Sequence, residues 1–385
     1  MKVYFDNAAT TPLHPEVYKK MIPFLNEFYG NPSSIHSFGR KTRVAIERAR
    51  ETAADFINAD AGEIYFMSGG TEANNFPIFG IAKTELKESG KNKIITSNTE
   101  HKCILDSFAE LENSGFETEY LSTDNCGKIK YEYLSEKIDS NTSLVSLIHI
   151  NNETGVVNDI ARLAKIKEHS ELFFHTDAVQ SFGKVKIDVK KLNVDSLSAS
   201  AHKINGPKGI GLTFAKSGTP LSPMIFGGSQ ERNRRGGTEN VPAIIGFAEA
   251  IKIAERNMDE DLEKVTAIKN KFYAGVKSIG ENISVNCLEN SSPYILSLTL
   301  DSEFYNNDAE ALLMFLDING IAASNGAACT SGTLKPSHVI TAMGKSTKDA
   351  SGTIRFSFGA QNNLDEIDYM LEVLSKLEKR FRKKD

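Results

Sequence analysis

Glu63-Ile64-Tyr65-Phe66-Met67-Ser68-Gly69-Gly70-Thr71-Glu72-Ala73-Asn74-Asn75 is the stretch on which the fold class turns. The first five residues read as a β-strand, Ser68-Gly69-Gly70 as a turn, and a helix is predicted from Thr71. Glycines between a strand and a helix start leave backbone N–H groups free to bind a phosphate. Upstream, Val44, Ala45, Arg48 and Ala49 recur at helical spacing and predict a helix over Arg40 to Ile57. Downstream, strand-like runs stand at Lys93 to Thr96, Leu144 to Ile150, Leu172 to His175, Ser196 to Ala199 and Ile210 to Phe214. Helix-length segments such as Lys102 to Asn113 and Ile160 to His169 lie between them. This alternation predicts an α/β fold with a mainly parallel sheet covered by helices on both faces.

After residue 260 the texture changes. A charged helix over Leu262 to Lys277 leads to a strand over Ile295 to Leu300, a helix over Ala309 to Leu316 and a strand over Thr353 to Phe358. A last helix from near Leu364 ends in the basic run Lys379-Arg380-Phe381-Arg382-Lys383-Lys384. The expectation is a large domain over 15–258 and a smaller α+β domain made of 1–14 and 259–385, with the boundary inside helices at about 255–262. The basic run suits the negative end of the last helix dipole, with nucleic-acid contact as the alternative.

Composition narrows the function. The 385 residues carry 45 Lys plus Arg against 50 Asp plus Glu, a net charge of −5 that does not suit a protein built around phosphate backbones. No apolar run approaches the roughly 20 residues of a membrane span, and Asp6 comes too early for a signal-peptide core. The four cysteines, Cys103, Cys126, Cys287 and Cys329, include no C-x-x-C pair, so neither a disulfide framework nor a thiolate zinc site is expected. His101-Lys102-Cys103 has a metal-like spacing but no second pair of ligands. Reduced thiols point to a cytoplasmic protein.

Three segments carry chemistry. Lys203 follows a predicted strand in Ser200-Ala201-His202-Lys203-Ile204-Asn205-Gly206-Pro207, at the sheet edge where ligands of α/β proteins gather. A lysine partly desolvated there can lose its proton and bond an aldehyde. In His175-Thr176-Asp177-Ala178-Val179-Gln180 an acid ends an apolar strand. Pyridoxal phosphate (PLP) needs such a carboxylate at its ring nitrogen. The Gly-Gly-Thr turn could take its phosphate.

With these segments in view, the chain resembles the cysteine desulfurases of the NifS/IscS type, in the class-V aminotransferase family of fold type I PLP enzymes. The matching stretches are Asp6-Asn7-Ala8-Ala9-Thr10-Thr11, Gly30-Asn31-Pro32-Ser33-Ser34, Thr99-Glu100-His101-Lys102 and Asn151-Asn152-Glu153-Thr154-Gly155. They continue through the Asp177 and Lys203 segments to Arg234-Arg235-Gly236-Gly237-Thr238-Glu239-Asn240, Ala328-Cys329-Thr330-Ser331-Gly332 and Ile354-Arg355-Phe356-Ser357. The resemblance implies a seven-stranded, mainly parallel sheet in the large domain. It assigns Lys203 to the cofactor aldehyde, Asp177 to the ring nitrogen and Gln180 to the phenolate oxygen. Gly70, Thr71, Ser200 and His202 would hold the phosphate, with Thr238 reaching the neighbouring subunit's site in a homodimer. His101 would stack on the ring and move protons, while Asn152 and Arg355 would hold the substrate carboxylate.

Cys329 decides the reaction that the resemblance implies. It sits in the small-residue run 322–335, read as a mobile loop, where a thiol could attack the sulfur of L-cysteine, keep it as a persulfide and pass it on. The expected acceptors are an iron–sulfur scaffold or a tRNA-thiolation enzyme, with no membrane or direct nucleic-acid partner. Asn325 stands where many relatives have serine, Lys335 where many have glutamate and Ala360 where many have arginine. The chain also stops at Asp385 without the scaffold-docking tail of some members. These departures bear on partner choice. The rivals are an aminotransferase or selenocysteine lyase on the same fold, and a sulfur carrier that has lost PLP chemistry.

Overall fold

Short apolar runs set between helical segments are stable when the strands lie side by side under two helical layers. The computed structural model, which describes residues 1–326 and 335–384, has this arrangement. Its large sheet runs in the order Ile64–Met67, Gly211–Ala215, Ser196–Ser200, Phe173–Asp177, Thr142–Ile148, Lys93–Ser97 and Glu117–Leu121. Neighbours pair in parallel except around Gly211–Ala215, which is antiparallel to both of its neighbours. Every residue of Thr142–Ile148 and Ser196–Ser200 is buried, which explains why those strands read as continuous rather than alternating runs.

Three local expectations change. The edge strand Glu117–Leu121 was not anticipated, because only Leu121 of its five residues is buried and no apolar run marks it. The helix expected over Ile160 to His169 is one α-turn, Ile160–Leu163, followed by the 3-10 segment Ala164–Glu168. The helix expected at Leu262 is the second half of a single 39-residue helix, Val241–Ile279.

That helix joins two cores. Val241, Ile244, Phe247 and Ile251 pack into the core under the large sheet, with Phe174, Leu197 and Leu212. Val265, Ile268, Phe272 and Val276 pack into a second core with Leu296, Phe356 and Leu374. The second core lies around a three-stranded antiparallel sheet of Thr353–Ser357, Ile295–Leu300 and Ile283–Val285. Val3 and Phe5 join it from the N-terminus, where Val3–Tyr4 pairs with Ile321–Ala322. The final helix, Leu364–Phe381, opens on an Asn363/Glu366 capping box and buries Ile367, Met370, Val373, Leu374 and Leu377 along one stripe. At its end Arg382 Nε bonds Glu378 Oε1 at 2.7 Å and Lys383 Nζ bonds the Ser302 carbonyl at 2.8 Å, so part of the basic run is engaged within the chain. Among the described residues no helix is long and apolar enough to cross a membrane.

Candidate active site

The carboxyl ends of the central strands and the Arg355 strand of the second sheet enclose a cleft of about 260 Å³. Gly70, Thr71, His101, Asn152, Asp177, Gln180, Ser200, His202, Lys203 and Arg355 all line it. Ten of the site residues expected from sequence are thus gathered in one place.

Lys203 ends a 3-10 turn, Ala201–Lys203, directly after the strand Ser196–Ser200. Its Nζ donates to the carbonyls of Ala8 at 2.6 Å and Ala9 at 2.7 Å. Burial, and then the Arg355 cation, push its pKa down to about 8 against the pull of Asp6 and Asp177. The amine can therefore shed its proton close to neutral pH.

Asp177 ends its strand 3% exposed. Its Oδ1 accepts from the Val179 N–H at 2.8 Å and its Oδ2 from Asn74 Nδ2 at 2.8 Å. Burial raises its pKa above the usual carboxylate range, opposed by His101, these hydrogen bonds and Lys203. Asn74 lies one turn into the helix Gly70–Glu88, on the face that meets the sheet, and is a site residue that sequence reading passed over.

His101 caps the helix Lys102–Asn113, accepting the Cys103 N–H at Nδ1 at 3.2 Å. Although the residue is exposed toward the cleft, the atoms crowding its ring lower its pKa; Asp177 opposes that shift. Cys103 Sγ also lies 3.0 Å from His101 Nδ1 and accepts from Asn74 Nδ2 at 3.4 Å, so this thiol is part of the cleft rather than simple helix packing. Burial, then the Asp177 charge, push its pKa up to about 12, which keeps it protonated.

Gly70 brings the helix start against Ser200: a Cβ there would stand 3.1 Å from Val179 Cγ2 and 3.4 Å from Ser200 Cβ. His202 Nδ1 lies 3.1 Å from Thr10 Oγ1, and burial followed by the charge of Lys203 takes the ring down to about 4, so it is neutral. Arg355 donates from Nη1 to the Asn152 carbonyl at 2.9 Å and from Nη2 to Asp6 Oδ1 at 2.8 Å. Gln180 Nε2 donates to the Ala8 carbonyl at 2.9 Å.

Four of the lining residues hold a buried polar atom with no hydrogen-bond partner among the described residues: Asn74 Oδ1, Asn152 Oδ1, Ser200 Oγ and Arg355 Nε. Buried polar atoms are rarely left so, and these suit a polar ligand in the cleft. An acceptor-hungry helix start beside Ser200, a deprotonable amine and a buried carboxylate suit a phosphorylated pyridine aldehyde, so the residues present fit PLP.

Two expectations fall elsewhere. Thr238 lines a neighbouring cavity with Ser68, Gly209 and Arg235, not the cleft itself. Cys329 lies outside the described residues, as does most of the run 322–335. Of the departures, Asn325 is 4% exposed, Lys335 is exposed, and the Ala360 carbonyl accepts from Lys264 Nζ.

Comparison with known proteins agrees with this fold. The family model of aminotransferase class-V matches residues 3–370. The cysteine desulfurase IscS of Dictyoglomus turgidum is 43% identical over 381 residues, covering 99% of this chain and 95% of that protein. A putative cysteine desulfurase, IscS 1 of Bacillus subtilis, is 43% identical over 95% of this chain and 96% of its own length. A solved structure described as a NifS-like protein superposes with a TM-score of 0.90 at 36% identity, covering 99% of both chains. With its fold matched and nearly its whole length aligned, the chain belongs to the class-V aminotransferase family.

Proposed function

We propose that the protein is a PLP-dependent cysteine desulfurase that converts L-cysteine to L-alanine and places the sulfur on Cys329 as a persulfide. The observation that carries this reading is the single cleft holding Lys203, Asp177, His101 and Arg355 in a chain aligned end to end with cysteine desulfurases. Lys203 would hold the cofactor's aldehyde carbon, Asp177 its ring nitrogen, His101 its ring face and Gln180 its phenolate oxygen. Gly70, Thr71, Ser200 and His202 would take its phosphate, joined by Thr238 of the second copy in a homodimer. When bound, PLP accepts the electron pair released at the substrate α-carbon.

The chain's own side chains do the rest. Among the described residues Arg355 Nε lacks a partner, and Arg355 and Asn152 would hold the substrate carboxylate. Lys203, able to lose its proton near pH 8, would carry the α-proton. The Cys329 thiolate attacks the substrate sulfur; an S–S bond forms, the C–S bond breaks, and its electron pair stays with the carbon that is protonated to alanine. No outside oxidant is needed. Cys103 is on the cleft but is held protonated, and only a thiolate is nucleophilic; the resemblance to the desulfurases assigns this role to Cys329.

Purified protein given L-cysteine and a thiol reductant should release alanine and sulfide in equal amounts. Cys329→Ser should stop sulfide release and keep the yellow cofactor. Sulfide release by Cys329→Ser at the parent rate would sink the mechanism. The persulfide would pass to a protein acceptor in a reducing, cytoplasmic setting, with an iron–sulfur scaffold or a tRNA-thiolation enzyme as candidates. Following labelled sulfur from Cys329 to each candidate separates them.

A further inference from the structure

Lys184 is a buried amine that the reaction described above does not use. It stands four residues after Gln180, at the end of the turn that follows the Asp177 strand, and is 6% exposed. Among the described residues it has no carboxylate partner. Its Nζ donates instead to Gln180 Oε1 at 3.2 Å and lies 5.4 Å from the centre of the Tyr294 ring. The other end of the same amide, Gln180 Nε2, donates at 2.9 Å to the Ala8 carbonyl, which also accepts Lys203 Nζ at 2.6 Å. Lys184, Gln180, Ala8 and Lys203 thus form one continuous hydrogen-bonded chain.

A carboxamide has an oxygen that only accepts and a nitrogen that only donates, and exchanging them turns the group end for end. An ammonium group can only donate. With Lys184 on one side, the amide oxygen is tied down and the N–H end is left toward Ala8, Lys203 and the cleft. We propose that Lys184 is a positioning residue that locks the Gln180 carboxamide with its N–H end toward the cofactor and Lys203. The inference rests on the PLP reading for what Gln180 meets, but the lock itself is a property of this chain.

Other charges facing Lys184 all push against its proton. Burial first, then Lys203 and Arg355, bring its pKa down to about 7, and His202 on the Lys203 side is neutral. Tyr294, on the second core's side, is held well above its usual range by burial and the Asp261 charge, so it too is neutral. Asp177 and Asp6 act on Lys203, the far end of the chain, in the opposite sense. Lys184→Met therefore removes the donor that holds the amide oxygen, together with the positive charge that Lys184 carries below its own midpoint, and frees the amide to turn. Both changes favour the protonated form at Lys203.

The test compares the parent holoenzyme with Lys184→Met and Lys184→Arg, following the cofactor's visible absorbance against pH. In Lys184→Met the midpoint should rise by at least about half a pH unit, the small end of what a nearby charge produces. Lys184→Arg, which keeps a donor-only cation, should return it toward the parent value. Merely structural damage would not move the midpoint and be reversed by arginine. The same proteins stripped of cofactor are labelled with a small anhydride, and the pH dependence of Lys203 modification is read by mass spectrometry. There the Lys203 midpoint should rise in Lys184→Met, and in the parent it should follow two steps, because two coupled groups titrate together. If no visible band forms in any protein, the PLP reading fails and the labelling alone decides. If Lys184→Met does not fold, the two-step titration in the parent decides. A midpoint unchanged in Lys184→Met, or a single step in the parent, overturns the proposal.

Discussion

Lys203 owes its reactivity to its surroundings. A surface lysine stays charged at neutral pH, whereas this one is buried beside Arg355 and titrates at about 8. The deprotonated amine is the form that bonds an aldehyde, so capture of added PLP by cofactor-free protein should quicken as pH rises through about 8 and level off above it. Stopped-flow absorbance checks this, and a rate already flat from pH 6 would contradict it. Asn74 acts on the other side of the cleft, donating to a carboxylate buried almost completely. Asn74→Ala should weaken retention of the cofactor by about 1–3 kcal/mol, the cost of leaving a buried acceptor unmade. Equilibrium dialysis against PLP measures it. At this scale the sequence was partly legible. Lys203 and Asp177 stood out as polar groups closing apolar strands, but Asn74, Cys103 and Lys184 look like ordinary helix and turn residues until the fold brings the first two to the cleft and Lys184 against Gln180.

Elements hold these residues at fixed distances. Gly211, at the start of an antiparallel strand, runs so close to the phosphate-ready turn that a Cβ would stand 2.7 Å from the Gly69 carbonyl carbon and 2.8 Å from the Ala199 oxygen. Both are backbone atoms, which cannot swing aside. Gly211→Ala should therefore push the turn and cost about 1–3 kcal/mol of stability, as overpacking does. It should also loosen PLP, and a thermal melt with and without cofactor separates the two effects. Farther out, Arg50 forms a two-point pair with Glu231, Nη1 to Oε2 at 2.8 Å and Nη2 to Oε1 at 2.9 Å, with both side chains almost wholly buried. Glu231, Arg232 and Asn233 all have positive φ, so this pair and the Phe66 N–H pin a backbone that would otherwise relax. Arg50→Met leaves the Glu231 charge unpaired and should cost about 3–5 kcal/mol in denaturant unfolding. No sequence pattern announces the pair, because its members are 181 residues apart.

The whole molecule leaves large apolar side chains on its surface, among them Tyr29 at 70%, Ile35 at 87% and Phe226 at 83% exposure. Such residues suit burial in a second copy. Thr238, next to the cleft but not lining it in one chain, is proposed to complete the site of that copy. Light scattering should give twice the chain mass. Co-expressed Lys203→Ala and Thr238→Arg chains, each inactive alone, should regain activity, since a mixed dimer keeps one intact site of two. Absence of any recovery in purified mixed dimers would remove Thr238 from the partner's site.

The alternation of apolar runs and helical segments was enough to determine an α/β sheet, and the residues closing its strands marked one edge of it as the chemical edge. That much is legible because strand burial and helix periodicity are local properties of the chain. Other features are decided only in three dimensions. The long helix Val241–Ile279 serves two cores at once, and only the partners of each half show where one core ends. The pKa values of Lys203, Asp177 and Cys103 depend on burial and on charges brought from distant segments. Desolvation and proximity are properties of the folded chain, so sequence could name the lysine and the acid, while tertiary structure made them reactive.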